Sequence, residues 1–226
     1  LVRSFELSKK KGKEAWIEPR CTDGKVSFEV HYGGKPTHPG TVNRRGAVCP
    51  CCGTAVSFEY IRECGRAGTM SSLMIAVIAE GDRQRLYLSA DNKQQTCAKV
   101  LRPKEYPNGS IAYWPGHFNT YVYGLTEFNH LFTNRQLTAL NTFSDLINEA
   151  QKKATKDAIV YGMVNDNISI DNDGIGAYAY GQIIGVYLSF AVDRLADLHS
   201  SICTWLSTIG AVCHTFSRQA IPMVWD

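Results

Sequence analysis

The sequence predicts an α+β protein in which a β-rich N-terminal half is followed by a helical half. Three observations point there. Val26, Phe28, Val30 and Tyr32 alternate with Ser27, Glu29 and His31 in the two-residue period of a half-buried strand. A cluster of cysteines closes around residue 50. From Thr133 onward the apolar residues switch to helical spacing, Leu137, Leu140, Phe143, Ile147, Ala150 and Ala154 sharing one face. The predicted organisation is a β-rich region over 1–102, a loop-rich connection over 103–125 and a helical region over 126–226.

Taken in order, Val2 to Leu7 reads as a partner strand for residues 26–32. Lys10-Lys11-Gly12-Lys13 and Thr22-Asp23-Gly24 read as turns, and Gly33-Gly34-Lys35-Pro36 ends the pattern. Glu59 to Arg66 is long enough for a short helix, and the apolar run Leu73 to Ala79 has the composition of a central strand that turns at Gly81-Asp82 toward Arg85 to Leu88. Asn108-Gly109 and Pro115-Gly116 mark the connection as loop. Thr133-Asn134-Arg135-Gln136 fits a capping box, in which the threonine hydroxyl and the glutamine side chain satisfy early backbone donors. The polar run Asn165 to Gly174 reads as a surface loop before helical periodicity resumes from Ile175 to Leu198, with Gly174, Gly176, Gly181 and Gly185 obscuring where that helix starts.

Bulk composition narrows the function. At 226 residues and 44% hydrophobic, the chain can bury a core. A net charge of +3 falls short of the excess that marks a dedicated nucleic-acid binder, so any DNA contact must come from local patches. No apolar run approaches the ~20 residues needed to cross a bilayer, which leads to the expectation of a soluble, cytoplasmic protein with no membrane partner. The first residues carry no leader pattern, the chain lacks an initiator methionine, and it stops in apolar sequence at Trp225-Asp226. Both ends read as cut from something larger. The crowding of the eight cysteines suggests metal binding rather than a disulfide framework.

The sharpest chemical signal is Cys49-Pro50-Cys51-Cys52-Gly53. Two thiolates three positions apart across a proline and a glycine form the knuckle that grips one side of tetrahedral zinc, so Cys49 and Cys52 are the expected ligands and the fold is expected to be zinc-ribbon-like. Cys51 is a bystander in this reading. The chain offers no second such pair. Cys21, Cys64, His31 and His38 are lone candidates to complete the shell, the alternative being a partner knuckle just before Leu1. Arg44 and Arg45, beside the knuckle, are the expected contacts to DNA phosphates, ahead of the lysine run Lys9, Lys10, Lys11 and Lys13, which reads equally well as a solvated hairpin tip. Trp16, Tyr60, Trp114 and Trp205 read as packing residues. A calcium loop over 166–174 fails, because Ser169 and Tyr180 would occupy the first and last ligand positions. Neighbours Cys213 and His214 point apart on a helix, and Asp193, Arg194 and Asp197 read as a structural ion-pair network.

Several stretches together resemble one family. They are Leu1 to Lys11, the knuckle with Tyr60-Ile61-Arg62, Gly124 to Leu140, Ala191 to Asp197, and Thr215 to Asp226. In order across nearly the whole chain they are similar to the bacterial and archaeal adenine-specific DNA methylases that contain a zinc ribbon, some of them associated with phage defence. The resemblance implies a parent enzyme that moves a methyl group from S-adenosylmethionine to the exocyclic amine of a flipped adenine. The family's glycine-rich cofactor turn and its Asp/Asn-Pro-Pro-Tyr motif do not occur between Leu1 and Asp226. No catalytic and no cofactor-binding residue is therefore assigned, and this chain alone is expected to be inactive.

The resemblance places it as the ribbon and helical insert between those two motifs, positioning DNA or bracing the catalytic domain. Structural zinc would be its own cofactor, and DNA and the remainder of the methyltransferase chain its partners. A stand-alone zinc-dependent protein-interaction module is the rival reading, and a redox enzyme using Cys49 and Cys52 is a third.

Overall fold

The computed structural model of the chain describes residues 1–116 and 119–215. It is a mixed α and β structure, 36% helical and 20% strand, whose sheets are small and antiparallel. A first sheet runs β1 (Glu6–Ser8), β2 (Ala15–Thr22), β3 (Lys25–Tyr32), and a second runs β4 (Val42–Asn43), β5 (Gly46–Val48), β6 (Ala55–Val56). Helix α1 (Phe58–Arg66) follows, then the hairpin β7 (Val77–Gly81) and β8 (Gln84–Leu88), and the short α2 (Asn92–Cys97). The long helices are α3 (Asn134–Val160) and α4 (Ala177–Leu198), after which β9 (Trp205–Leu206) and β10 (Ala211–Val212) form a last hairpin.

The alternation read in residues 26–32 becomes β3, but its partner is β2, paired from Ala15↔Tyr32 to Thr22↔Lys25 across an Asp23-Gly24 turn with both residues at positive φ. The N-terminal residues pair on the far side of β2 instead, with Ile17 N–H donating to the Phe5 carbonyl at 2.9 Å. This order puts Ala15 and Ile17 on one buried face of β2 with Phe5 and Leu7, and the cluster is completed by Val2 and Tyr87. Each fully buried side chain of this size contributes about 1.5–3 kcal/mol, which makes this cluster the anchor of the β-rich half. The apolar run from Leu73 enters a strand only at Val77. Ile75 and Ala76 pack against the cluster from irregular backbone, so the expected central strand is one arm of a two-stranded hairpin.

The C-terminal residues return to this sheet. The Trp205 indole N–H donates to the Leu7 carbonyl at 2.8 Å, and Lys9 N–H donates to the Ser207 carbonyl at 2.9 Å. A second, smaller cluster of Ile111, Leu131 and Ile202, flanked by Leu125 and Phe132, joins the connection to the segment after α4.

Helix α3 starts where the sequence predicts. Thr133 is its N-cap and the capping box with Gln136 is complete, the Thr133 N–H donating to Gln136 Oε1 at 2.9 Å. Helix α4 begins at Ala177 behind Gly176. Its end is held by Thr215, whose buried Oγ1 lies 2.7 Å from the Asp197 carbonyl and 2.9 Å from Ser200 Oγ, satisfying groups that a helix terminus leaves unpaired.

Candidate functional site

The expected zinc ligands lie in the turn between β5 and β6. Cys49 N–H donates to the Thr54 carbonyl at 2.9 Å and Gly53 N–H donates back to the Cys49 carbonyl at 3.0 Å, which closes the knuckle. Gly53 takes φ 73°, a conformation that favours glycine. Cys49 is half-buried and Cys52 exposed, and both are free thiols. Cys52 Sγ sits 3.1 Å from Thr54 Oγ1. Hydrogen bonding from the Thr54 hydroxyl, then from its backbone N–H and from the Cys49 thiol, holds Cys52 below the ordinary thiol value.

Cys51 is not a bystander. It is bonded to Cys21 at the end of β2, with the two Cα atoms 5.3 Å apart, so a disulfide ties the first sheet to the knuckle of the second. The cysteine crowding that suggested metal over disulfide thus contains one disulfide. Of the four lone residues considered as further ligands, the structure brings Cys21 to the knuckle. His31 stacks on Trp16 at 4.8 Å and its Nε2 lies 3.8 Å from Glu29, while His38 Nε2 lies 3.8 Å from Glu18. Cys64 is a half-buried free thiol on α1.

With the disulfide closed, the knuckle presents two thiols where a structural zinc takes four donors. Among the described residues no group of three or more His, Cys, Asp or Glu is placed to hold a metal. The donors are of the right chemistry and too few, so the residues as they stand do not fit the ion.

Arg44 and Arg45 form the exposed turn between β4 and β5, shaped by Asn43 Oδ1 accepting from Arg45 N–H at 2.7 Å. They precede β5 and the knuckle follows it, which separates them by the length of that three-residue strand, about 10 Å. The arginines and the thiols therefore occupy opposite ends of the small sheet. Lys9 is engaged with Glu6 at 2.7 Å.

A feature the sequence reading did not single out is the outward face of α4. Gly181 and Gly185 face α3, with the space for a Cβ at Gly181 already taken by Thr155 Oγ1 and the Gln151 carbonyl. The two helices thus approach through small residues. The large apolar side chains of α4 lie on the opposite face, where Tyr180, Ile183, Val186, Tyr187 and Phe190 are exposed, Tyr187 by 68% and Phe190 by 62%. No charged residue occurs from Ala177 to Val192. Five such side chains at half exposure leave roughly 500 Å² of apolar surface, in the range of patches that mark interaction sites. The signal was present in the 180, 183, 187, 190 spacing, but spacing alone does not say which of two apolar faces meets α3.

Of the expected ion-pair network at the end of α4, Arg194 and Asp197 are paired, while Asp193 makes no ion pair among the described residues. Asp197 lies 3.0 Å from Arg194 and 2.5 Å from His214 Nδ1. The last stretch of the family resemblance, 216–226, lies outside the described residues.

No helix among the described residues is long and apolar enough to cross a membrane. Compared with known protein families, with curated proteins and with solved structures, the chain finds no match.

Proposed function

We propose that this chain is the non-catalytic, ribbon-like and helical insert of an S-adenosylmethionine-dependent, adenine-specific DNA methyltransferase. Its α3/α4 hairpin braces the catalytic part of the parent protein and its Arg44-Arg45 turn positions DNA. The observation that carries the bracing role is the charge-free apolar face of α4, turned away from α3 by the glycine contacts on the other side. A helix serving only its own hairpin gains by turning its large side chains inward, so an outward face of this size fits a second protein surface. The methyltransferase assignment rests on the ordered sequence resemblance.

The same apolar face also favours the rival reading, a stand-alone zinc-dependent protein-interaction module. The two differ in the reading frame, which in the methyltransferase case continues into a Pro-Pro-Tyr motif. The DNA-positioning role is tested by anisotropy titrations of duplex DNA at several salt concentrations. Replacing Arg44 and Arg45 together by alanine should lower the magnitude of the log Kd against log salt slope by about 1.8, at about 0.9 per phosphate contact. An unchanged slope removes that role. Tyr187→Ser with Phe190→Ser should weaken association with the catalytic part while the helical circular dichroism stays intact. Undiminished association removes the bracing role.

A further inference from the structure

We propose that Cys49 and Cys52 form a thiol–disulfide exchange site for small disulfides bearing apolar groups, with the cavity beside Cys49 seating the apolar part. This goes beyond the function proposed above and holds whether or not the parent protein transfers methyl groups.

Two independent placements carry it. The first is the turn itself, where Gly53 N–H reaches the Cys49 carbonyl at 3.0 Å, the bond of a single helical turn. Side chains three residues apart in such a turn have Cβ atoms about 5–6 Å apart, and a disulfide closes at about 3.5–4.5 Å, so a small adjustment bridges the pair. Both members are free thiols, and Cys51 between them is held by Cys21 and takes no part. The second placement is a cavity of about 290 Å³ lined from both the first and second sheets. Cys49 stands in its wall with Val26, Phe28, Val48, Val56 and Leu73, and no charged side chain lines it. Cys21 is the cross-strand partner of Val26, so the Cys21–Cys51 bond fixes the knuckle to the edge of this cavity. The volume lies at the small end of ligand pockets, which run from about 300 to 1,000 Å³, and the lining suits an apolar occupant.

The substrate disulfide places one apolar arm in the cavity. Cys49 gives its proton to water and its thiolate attacks the nearer sulfur, so that the S–S bond breaks and the outer thiolate leaves and takes a proton. Cys52 then loses its proton and attacks Cys49 Sγ. The mixed disulfide breaks, and the second thiolate leaves the cavity and takes a proton. Two electrons pass from the cysteine pair to the substrate, one substrate disulfide becomes two thiols, and the Cys49–Cys52 bond forms. A dithiol reductant returns the pair to thiols by the same exchange. Access sets the order, since Cys49 is half-buried in the cavity wall and Cys52 is exposed on the solvent side.

The test treats the full chain, its Cys21–Cys51 bond intact, with diethyl disulfide and separately with the charged disulfide of glutathione. Remaining thiols are alkylated at intervals, and peptide mass spectrometry locates the bonds. Each rate is divided by that of Cys97, which is exposed on α2 and outside the cavity, to remove the intrinsic reactivity of the reagent. The expected result is a Cys49–Cys52 disulfide formed roughly 10–200-fold faster with diethyl disulfide, the range an apolar pocket gives for a small apolar group. Diethyl sulfide, of similar shape and unable to exchange, should slow the reaction of the unaltered chain. Val48→Trp should slow it by filling the cavity, with circular dichroism confirming that the helices are kept. Cys52→Ser should stop at an ethylthio adduct on Cys49. No Cys49–Cys52 bond, an equal normalised rate for the two disulfides, or a rate untouched by diethyl sulfide overturns the proposal. The assay contains neither DNA nor S-adenosylmethionine, so failure here is distinct from failure of the methyltransferase reading.

Discussion

Substituting alanine at two glycines one turn apart in α4 should move stability in opposite directions. A Cβ at Gly181 would stand 2.0 Å from Thr155 Oγ1 and 2.8 Å from the Gln151 carbonyl oxygen. Thr155 can swing away only by giving up its 3.1 Å hydrogen bond to that same carbonyl, and the carbonyl is helix backbone. Alanine gains about 1 kcal/mol of helix propensity. Against this stand about 1–3 kcal/mol for overpacking and about 1 kcal/mol for the lost hydrogen bond. The net is a destabilisation of about 2 kcal/mol, or a Tm lowered by roughly 4–8 °C in a chain of this size. At Gly185 the nearest atom is Gln151 Oε1 at 3.2 Å, the mobile end of a long side chain. Here the propensity gain survives and Tm should rise by roughly 2–4 °C. Thermal unfolding followed by far-ultraviolet circular dichroism reads both. If Gly181→Ala melts at or above wild type, α3 and α4 do not approach through the glycine face, and the reason for the outward turn of Tyr187 and Phe190 falls with it.

Other outcomes follow from the caps and thiols. Thr133→Ala removes the side-chain half of the α3 capping box and should cost about 1 kcal/mol, read as a lower Tm. Reducing the Cys21–Cys51 bond with a chelator present frees a chain segment with a sequence separation of 30, which on loop-entropy grounds lowers stability by roughly 3–4 kcal/mol in denaturant titrations. A denaturation midpoint unmoved by reduction would contradict the cross-link. Cys52, held below the ordinary thiol value by Thr54, keeps more thiolate at lower pH, so its alkylation by iodoacetamide should have a midpoint below that of a cysteine peptide. Thr54→Val should move that midpoint up, and no difference between the two proteins would show that the hydrogen bond does not form in solution.

The parts of the fold that were legible in the sequence are those set by local chemistry. The capping box at Thr133 and Gln136 announced α3, and the alternation from Val26 to Tyr32 announced β3. Strand β2 was hidden because Glu18, Pro19 and Arg20 interrupt its pattern. Pro19 is tolerated because β1 pairs only with the start of β2, leaving the ladder open on that side. The run from Leu73 promised a central strand because apolar composition reports burial, whereas burial here comes from packing of irregular backbone beside Phe5 and Tyr87. Phe143 was read into the buried stripe of α3 and is half-exposed, since helical period assigns a face without saying how far along the helix its cover extends. At the knuckle, spacing picked out Cys49 and Cys52. The pairing of Cys21 with Cys51 depends on how two sheets meet, which cysteine spacing does not encode.

Methyl transfer from labelled S-adenosylmethionine to adenine in duplex DNA is the most direct measurement of the proposed role, made on this chain and on the polypeptide of its complete reading frame. The expected result is N6-methyladenine from the complete polypeptide and none from residues 1–226 alone. Methylation by this chain alone, or a complete reading frame that transfers no methyl group, would contradict it.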